Sequence, residues 1–166
     1  FIDRIISKIN LPVFLYDNPG LTGVKLDIDT VQKLIRHPEV IGFKDSSGDS
    51  QYFHQVKTIL DEADIPLLVG PEELLTQSLI MGADGGVPGG ANMFPNLYVS
   101  LYDSVESGNV EAALDLHNRI LQISSIVYQG NEYGSSCVIN GIKSALSLMD
   151  ICNATLAPPL KDRKST

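Results

Sequence analysis

Cysteine and cationic side chains are both scarce in this sequence: its 166 residues carry Cys137 and Cys152 alone of their type, and 12 Lys+Arg against 20 Asp+Glu, a formal charge of −8. Two cysteines make no disulfide framework and their spacing is no metal motif, so a reducing cytoplasm is the expected compartment and no metal is implied. The deficit of cations leaves nothing to neutralise phosphates, which argues against nucleic acid and anionic membrane as partners. No apolar run approaches the roughly 20 residues of a membrane span. Residues 1–10 (FIDRIISKIN) are amphipathic rather than a signal peptide. What is present is core: 43% hydrophobic and only 19% charged residues exclude intrinsic disorder and suffice for a folded domain.

The chain starts at Phe1 without an initiator methionine, and Ile2, Ile5, Ile6 and Ile9 recur at helical spacing. The opening therefore reads as the last turns of a helix, and a fragment or processed chain is expected. Apolar runs at 12–16 (PVFLY), 40–44 (VIGFK), 66–70 (PLLVG) and 84–87 read as buried strands. The first ends at Asn18-Pro19-Gly20, a turn signal. Between them, residues 28–37, 50–63 and 72–81 carry apolar side chains at three- and four-residue spacing, with Asp27 or Asp29 as N-cap of the first. Strand and helix thus alternate at roughly 25-residue intervals, the mark of parallel βα units. After a loop of small residues at 88–92 (PGGAN) the pattern becomes helical only, over 94–106, 110–129 and 136–149, with Gly108-Asn109 and Gly130-Asn131 as breaks. The Pro-rich, then polar tail at 157–166 reads as a frayed end. The expected organisation is residues 1–107 as βα units and 108–166 as a helical segment.

Four βα units suit either an open doubly wound sheet or part of a (β/α)8 barrel. Residues 16–23 (YDNPGLTG) are no Gly-x-Gly-x-x-Gly turn, which favours the barrel over a dinucleotide-binding sheet. A flavodoxin-like sheet would need a phosphate-binding loop after the first strand, and Pro19-Gly20 is a poor one.

In both folds ligands bind at the carboxyl ends of the strands. Tyr16, Lys44, Gly70 and the stretch 87–92 stand there. Lys44 ends an apolar strand, and desolvation at a barrel rim disfavours a charged amine, which suits a Schiff-base nucleophile. Spacing alone leaves open a strand-end lysine that leans out to solvent. Tyr16 ends the preceding strand, where its hydroxyl could move a proton, or it could be a core tyrosine. Gly70 and the glycines of 85–90 allow close backbone approach to a small ligand, or serve as plain turns. His37, His54 and His117 fall on predicted helices away from strand ends. Asp61, Glu62 and Asp64 read as a solvated helix end, and Glu72 and Glu73 as helix first-turn acids.

Tyr16-Asp17-Asn18-Pro19 with Thr22-Gly23, then residues 42–48 (GFKDSSG), then Gly70, then 82–86 (GADGG) with Ala91-Asn92 resemble, in order and spacing, the dihydrodipicolinate synthase and N-acetylneuraminate lyase superfamily. The resemblance covers nearly the whole chain and makes the catalytic reading of Lys44 the favoured one. It implies the second half of a (β/α)8 TIM barrel, about four βα units, followed by C-terminal helices. It implies a class I aldolase or lyase with no cofactor other than a covalent imine on Lys44. Tyr16 would be the proton shuttle, and the backbone carbonyl of Val87 would line the substrate site with Gly70 and Thr22. A small 2-oxo acid such as pyruvate is the implied partner, and a homo-oligomer, usually a tetramer, or a complementary N-terminal half barrel the implied assembly.

Two positions depart from the family pattern. Asp17 stands where an asparagine is usual, putting a carboxylate beside the tyrosine. Leu21 stands where dihydrodipicolinate synthases carry an arginine that grips a carboxylate, and an apolar side chain cannot replace that bidentate clamp. The expectation therefore leans to a 2-oxo acid such as a 2-keto-3-deoxy sugar acid rather than to lysine biosynthesis. The family's Thr-Thr-Gly-Glu type motif, which orients pyruvate, does not occur here, so this chain by itself is expected to be inactive. A non-catalytic half-barrel binding or assembly module is the alternative from another functional class.

Overall fold

A computed structural model describes residues 1–129, 136–158 and 160. The expected break at Gly130-Asn131 and most of the expected frayed tail lie outside the described residues. The chain divides into two compact units, Phe1–Val87 and Pro88–Thr166. The first holds all four strands, and the helix Pro95–Glu106 that follows them belongs with the second.

The first unit opens with the short helix α1 (Ile2–Ile6), which buries Ile6. Strands β1 (Val13–Asp17), β2 (Val40–Asp45), β3 (Leu67–Val69) and β4 (Gly85–Gly86) form one sheet in the order β1-β2-β3-β4. Every pairing is parallel, as the alternation of strands and helices predicts. Between β1 and β2 the register runs Val13 to Val40 and then Phe14 to Gly42, so Ile41 is an extra residue that bulges from the ladder. Counting side-chain parity from Val40 fails across that bulge, whereas Gly42 and Lys44 remain on one face.

Helices α3 (Ile28–Leu34), α4 (Ser50–Glu62) and α5 (Leu75–Ile80) connect the strands. Asp27 rather than Asp29 caps α3, its carboxylate accepting the Thr30 N–H at 2.7 Å. Asp49 caps α4, accepting the Tyr52 N–H at 3.0 Å. Both satisfy a backbone donor that the first helical turn leaves unpaired. The helix predicted over 72–81 starts instead as a 3-10 turn, Glu72–Leu74, directly after Pro71. The turn at Asn18-Pro19-Gly20 tightens into a single helical turn, α2 (Pro19–Thr22), with Pro19 at its first position, where a missing N–H costs nothing.

Val31, Leu34, Phe53, Val56 and Leu60 from the helices and Leu15, Phe43, Leu67 and Val69 from the strands are all buried, the apolar core of this unit. The opposite face of the sheet is open. There the Phe14 ring lies over Gly42, where a Cβ would meet the ring at 2.1 Å, so glycine is what lets the aromatic cross the strand.

The second unit is helical among its described residues. A 3-10 turn (Gly89–Asn92) leads into α6 (Pro95–Glu106), α7 (Val110–Val127) and α8 (Cys137–Leu148). Helix α7 contacts both α6 and α8, and Leu101, Ala113 and Ile120 are fully buried. Cys137 and Cys152 are free thiols. Among the described residues no helix is long and apolar enough to cross a membrane.

Candidate functional site

Parallel pairing puts the carboxyl ends of β1 and β2 side by side, and Tyr16 is the register partner of Lys44. Both side chains project from the open face. The Lys44 Nζ lies 4.5 Å from the centre of the Tyr16 ring, a cation–π distance. The expected pair is thus brought together by backbone register alone.

Two further residues converge on the Tyr16 hydroxyl. The Asn18 amide Nδ2 donates to it at 2.8 Å. Ser46, two residues beyond Lys44, also bears on its ionisation. The Ser46 Oγ sits 1.9 Å from where a Cβ on Gly70 would be, so the bare backbone of Gly70 makes the space that this hydroxyl occupies. Burial acts to raise the Tyr16 pKa, but hydrogen bonds from Ser46 and Asn18 and the Lys44 charge outweigh it and leave the phenol below its ordinary value. Sequence reasoning gave Asn18 and Ser46 no role. The signal was available in parity, since each lies two residues beyond a predicted site residue and so returns to the same face.

The other expected site residues are less close to that pair. Val87 follows β4, its N–H donating to the Val69 carbonyl at 2.9 Å, and is separated from β2 by β3. Gly70 follows β3 and donates its N–H to the Asp45 carbonyl at 2.7 Å. The Thr22 hydroxyl is engaged with its own turn, at 3.0 Å from the Asn18 carbonyl and 2.8 Å from that of Val24. Leu21 is exposed.

The residues beside the pair, Asp17 and Asp45, are also register partners, but they point to the helix-covered face and are buried. Asp17 Oδ1 accepts the Leu26 N–H at 2.9 Å while its Oδ2 has no partner among the described residues. Asp45 Oδ1 accepts the Ser47 N–H at 2.8 Å. Burial first, and then the Asp17 charge, push the Asp45 carboxyl above its usual range, despite the Ser47 bonds. Burial and the same two carboxylates also drive the nearby Tyr52 phenol well up. The departure at Asp17 thus places a second acid behind the Tyr16–Lys44 pair, not in front of it.

A groove of about 980 Å³ runs along the open edge of β1, walled by Tyr16, Thr22, Leu26, Lys33 and Arg36 among others. Lys44 is not in its wall, and Tyr16 joins the groove to the pair. Asp61, Glu62 and Asp64 are solvent-exposed, as expected, with Asp61 ion-paired to Lys57. Glu72 is instead buried. Among the described residues no cluster of His, Cys, Asp and Glu has the make-up to hold a metal ion.

Comparison with known proteins covers the whole chain. The sequence pattern of the dihydrodipicolinate synthetase family matches residues 1–165. N-acetylneuraminate lyase 2 of Escherichia coli is 29% identical over 163 residues, which are 96% of this chain and 51% of that protein. Dihydrodipicolinate synthase from Bacteroides thetaiotaomicron superposes with a TM-score of 0.89 at 42% identity, covering 98% of this chain and 54% of that one. YagE, a prophage protein of the dihydrodipicolinic acid synthase family from Escherichia coli solved in complex with pyruvate, superposes with a TM-score of 0.84 at 27% identity, over 97% of this chain and 54% of that one. The chain therefore spans about half the length of the relatives it matches.

Proposed function

This chain belongs to the dihydrodipicolinate synthetase family, with the α/β architecture of part of a TIM barrel, and we propose on that footing that it carries the Schiff-base half of a class I lyase site. The observation that carries the proposal is the Tyr16–Lys44 pair, held by register on the open face with Nζ 4.5 Å from the ring centre. Lys44 as neutral amine attacks the keto carbon of pyruvate or another 2-oxo acid. Loss of water gives an iminium that withdraws electrons while a carbon–carbon bond forms or breaks. Tyr16, whose phenol is more acidic than usual, moves the proton.

Of the substrates, a 2-keto-3-deoxy sugar acid fits Leu21, which offers no charge to a second carboxylate. Dihydrodipicolinate synthesis from pyruvate and aspartate semialdehyde is the second reading, supported by the 42% identity to the Bacteroides enzyme. Val87 and Gly70 line the approach with backbone, and Thr22 shapes the turn beside Tyr16.

We infer that further βα units, supplied by residues outside these 166, pack along the groove beside β1 and over the open face, so that the chain alone is inactive. The two free cysteines fit a cytoplasmic setting. The test is turnover by the assembled barrel, meaning this chain with the units that complete it. Cleavage of 2-keto-3-deoxy acids and condensation of pyruvate with aspartate semialdehyde are assayed side by side. Parent protein should turn over one of them and Lys44→Ala neither. Full turnover by Lys44→Ala would end the proposal, and absence of any turnover by the parent would favour a binding module.

A further inference from the structure

Asn18 occupies the N-cap position of α2, where asparagine commonly accepts a backbone N–H, yet its side chain makes no cap hydrogen bond there. The turn is closed without it: the Leu21 and Thr22 N–H groups reach the Asn18 backbone carbonyl at 3.1 and 3.0 Å, and the Thr22 hydroxyl bonds the same carbonyl. The side chain turns instead to the Tyr16 hydroxyl at 2.8 Å. An amide nitrogen has no lone pair to offer, so it donates and the phenol oxygen accepts. With that lone pair engaged, the phenol proton is free to point away from the amide.

We propose that Asn18 is a positioning residue for proton transfer: it fixes the Tyr16 oxygen as an acceptor and leaves the Tyr16 proton free for the open face that Lys44 shares. The proposal rests on the reading of Tyr16 as the proton carrier. It deepens that reading by naming what orients the carrier, a function for the residue one past the Asp17 departure. Tyr16 gives its hydroxyl proton to the substrate and takes it back in the reverse step, so charge and protons balance.

The charged group set against Tyr16 is Lys44 from β2, and Asp3, Asp17, Lys33 and Arg36 share with Tyr16 the wall of the groove beside β1. None is altered by Asn18→Leu, so a changed pH profile in that variant reports the amide itself.

Three variants in the assembled barrel separate the possibilities. Asn18→Leu keeps the bulk and removes the donor, Asn18→Asp keeps the shape but cannot donate when ionised, and Asn18→Gln keeps a donor on a longer arm. Tyr16 ionisation is read by ultraviolet difference absorbance against Tyr16→Phe, which needs no turnover. Its midpoint should move to higher pH in Asn18→Leu, further in Asn18→Asp, and little in Asn18→Gln. In kinetics, kcat should fall about tenfold or more in the first two, within the range of lost acid–base assistance, with KM nearly unchanged and the alkaline limb displaced upward. Borohydride trapping of pyruvate on Lys44 should persist in all three. An unmoved Tyr16 midpoint in Asn18→Leu overturns the proposal, as does a loss of kcat shared equally by Asn18→Gln with no displaced limb. Failure of the parent to be trapped on Lys44 is a different result: it removes the lyase reading, while the absorbance midpoint still decides whether Asn18 orients Tyr16.

Discussion

On the helix-covered side of the sheet Leu15, Phe43, Leu67 and Val69 are 3% exposed or less, whereas Phe14 and Tyr16 on the other side of the same β1 are 45% and 50% exposed. The covered side is filled by branched and aromatic side chains that interdigitate with α3 and α4, and its residues are replaceable by anything of the same volume and polarity. The open side carries glycine at 42 and 70, where added atoms would strike Phe14 and Ser46, and between them a small set of polar groups. Packing selects one side and chemistry the other, and the pleat keeps them apart by a single residue. The exception is the Asp17–Asp45 pair, an acidic pair on the packing side immediately behind Tyr16 and Lys44.

The sharpest way to break this comparison is to exchange the losses. Tyr16→Phe should lower kcat about 10²–10⁴-fold while changing stability by about 1 kcal/mol or less, the net worth of its hydrogen bonds. Phe43→Ala should do the reverse in kind, costing about 3–5 kcal/mol in denaturant unfolding as a buried aromatic is deleted, with the imine chemistry retained in whatever remains folded. Large stability loss in Tyr16→Phe, or none in Phe43→Ala, would show that the two faces are not divided in this way.

A smaller effect sharpens the exception. Because burial holds the Asp45 carboxyl above its usual range, the folded state keeps that proton to higher pH than the unfolded chain does. Stability from this group is therefore present below the ordinary carboxylate value of about 3.9 and lost as pH climbs through the raised one. Asp17→Asn removes the neighbouring charge and gives the Asp17 side chain a donor, while keeping the acceptor for the Leu26 N–H. Its melting temperature at neutral pH should exceed that of the parent, and the decline in stability with rising pH should flatten without vanishing, since desolvation of Asp45 remains. A lowered melting temperature would mean that the second acid is structurally required.

The parallel strands, their order of appearance and the placing of Tyr16 and Lys44 at strand ends were legible because each depends on local apolar runs and their length. The bulge at Ile41 was not, since it arises from pairing with β1, and no pattern within 40–44 reveals an extra residue. Nor was the 3-10 start at Glu72, where Pro71 decides geometry that apolar spacing does not encode. The family motifs singled out Lys44 and Tyr16, yet Asn18 stood inside one of them without a role, because its contact with the Tyr16 hydroxyl depends on how the turn after β1 aims its side chain. Burial of Asp17 and Asp45 is likewise a product of α4 lying over the strand ends, which sequence alternation alone leaves open.

The central claim is that Lys44, set beside Tyr16 on the open face, is the nucleophile. Peptide mapping after incubation of the assembled barrel with pyruvate and borohydride tests it most directly. The account predicts a reduced pyruvate adduct on Lys44 in the parent and in Tyr16→Phe. An adduct on another lysine, or turnover with Lys44 left unmodified, would contradict it.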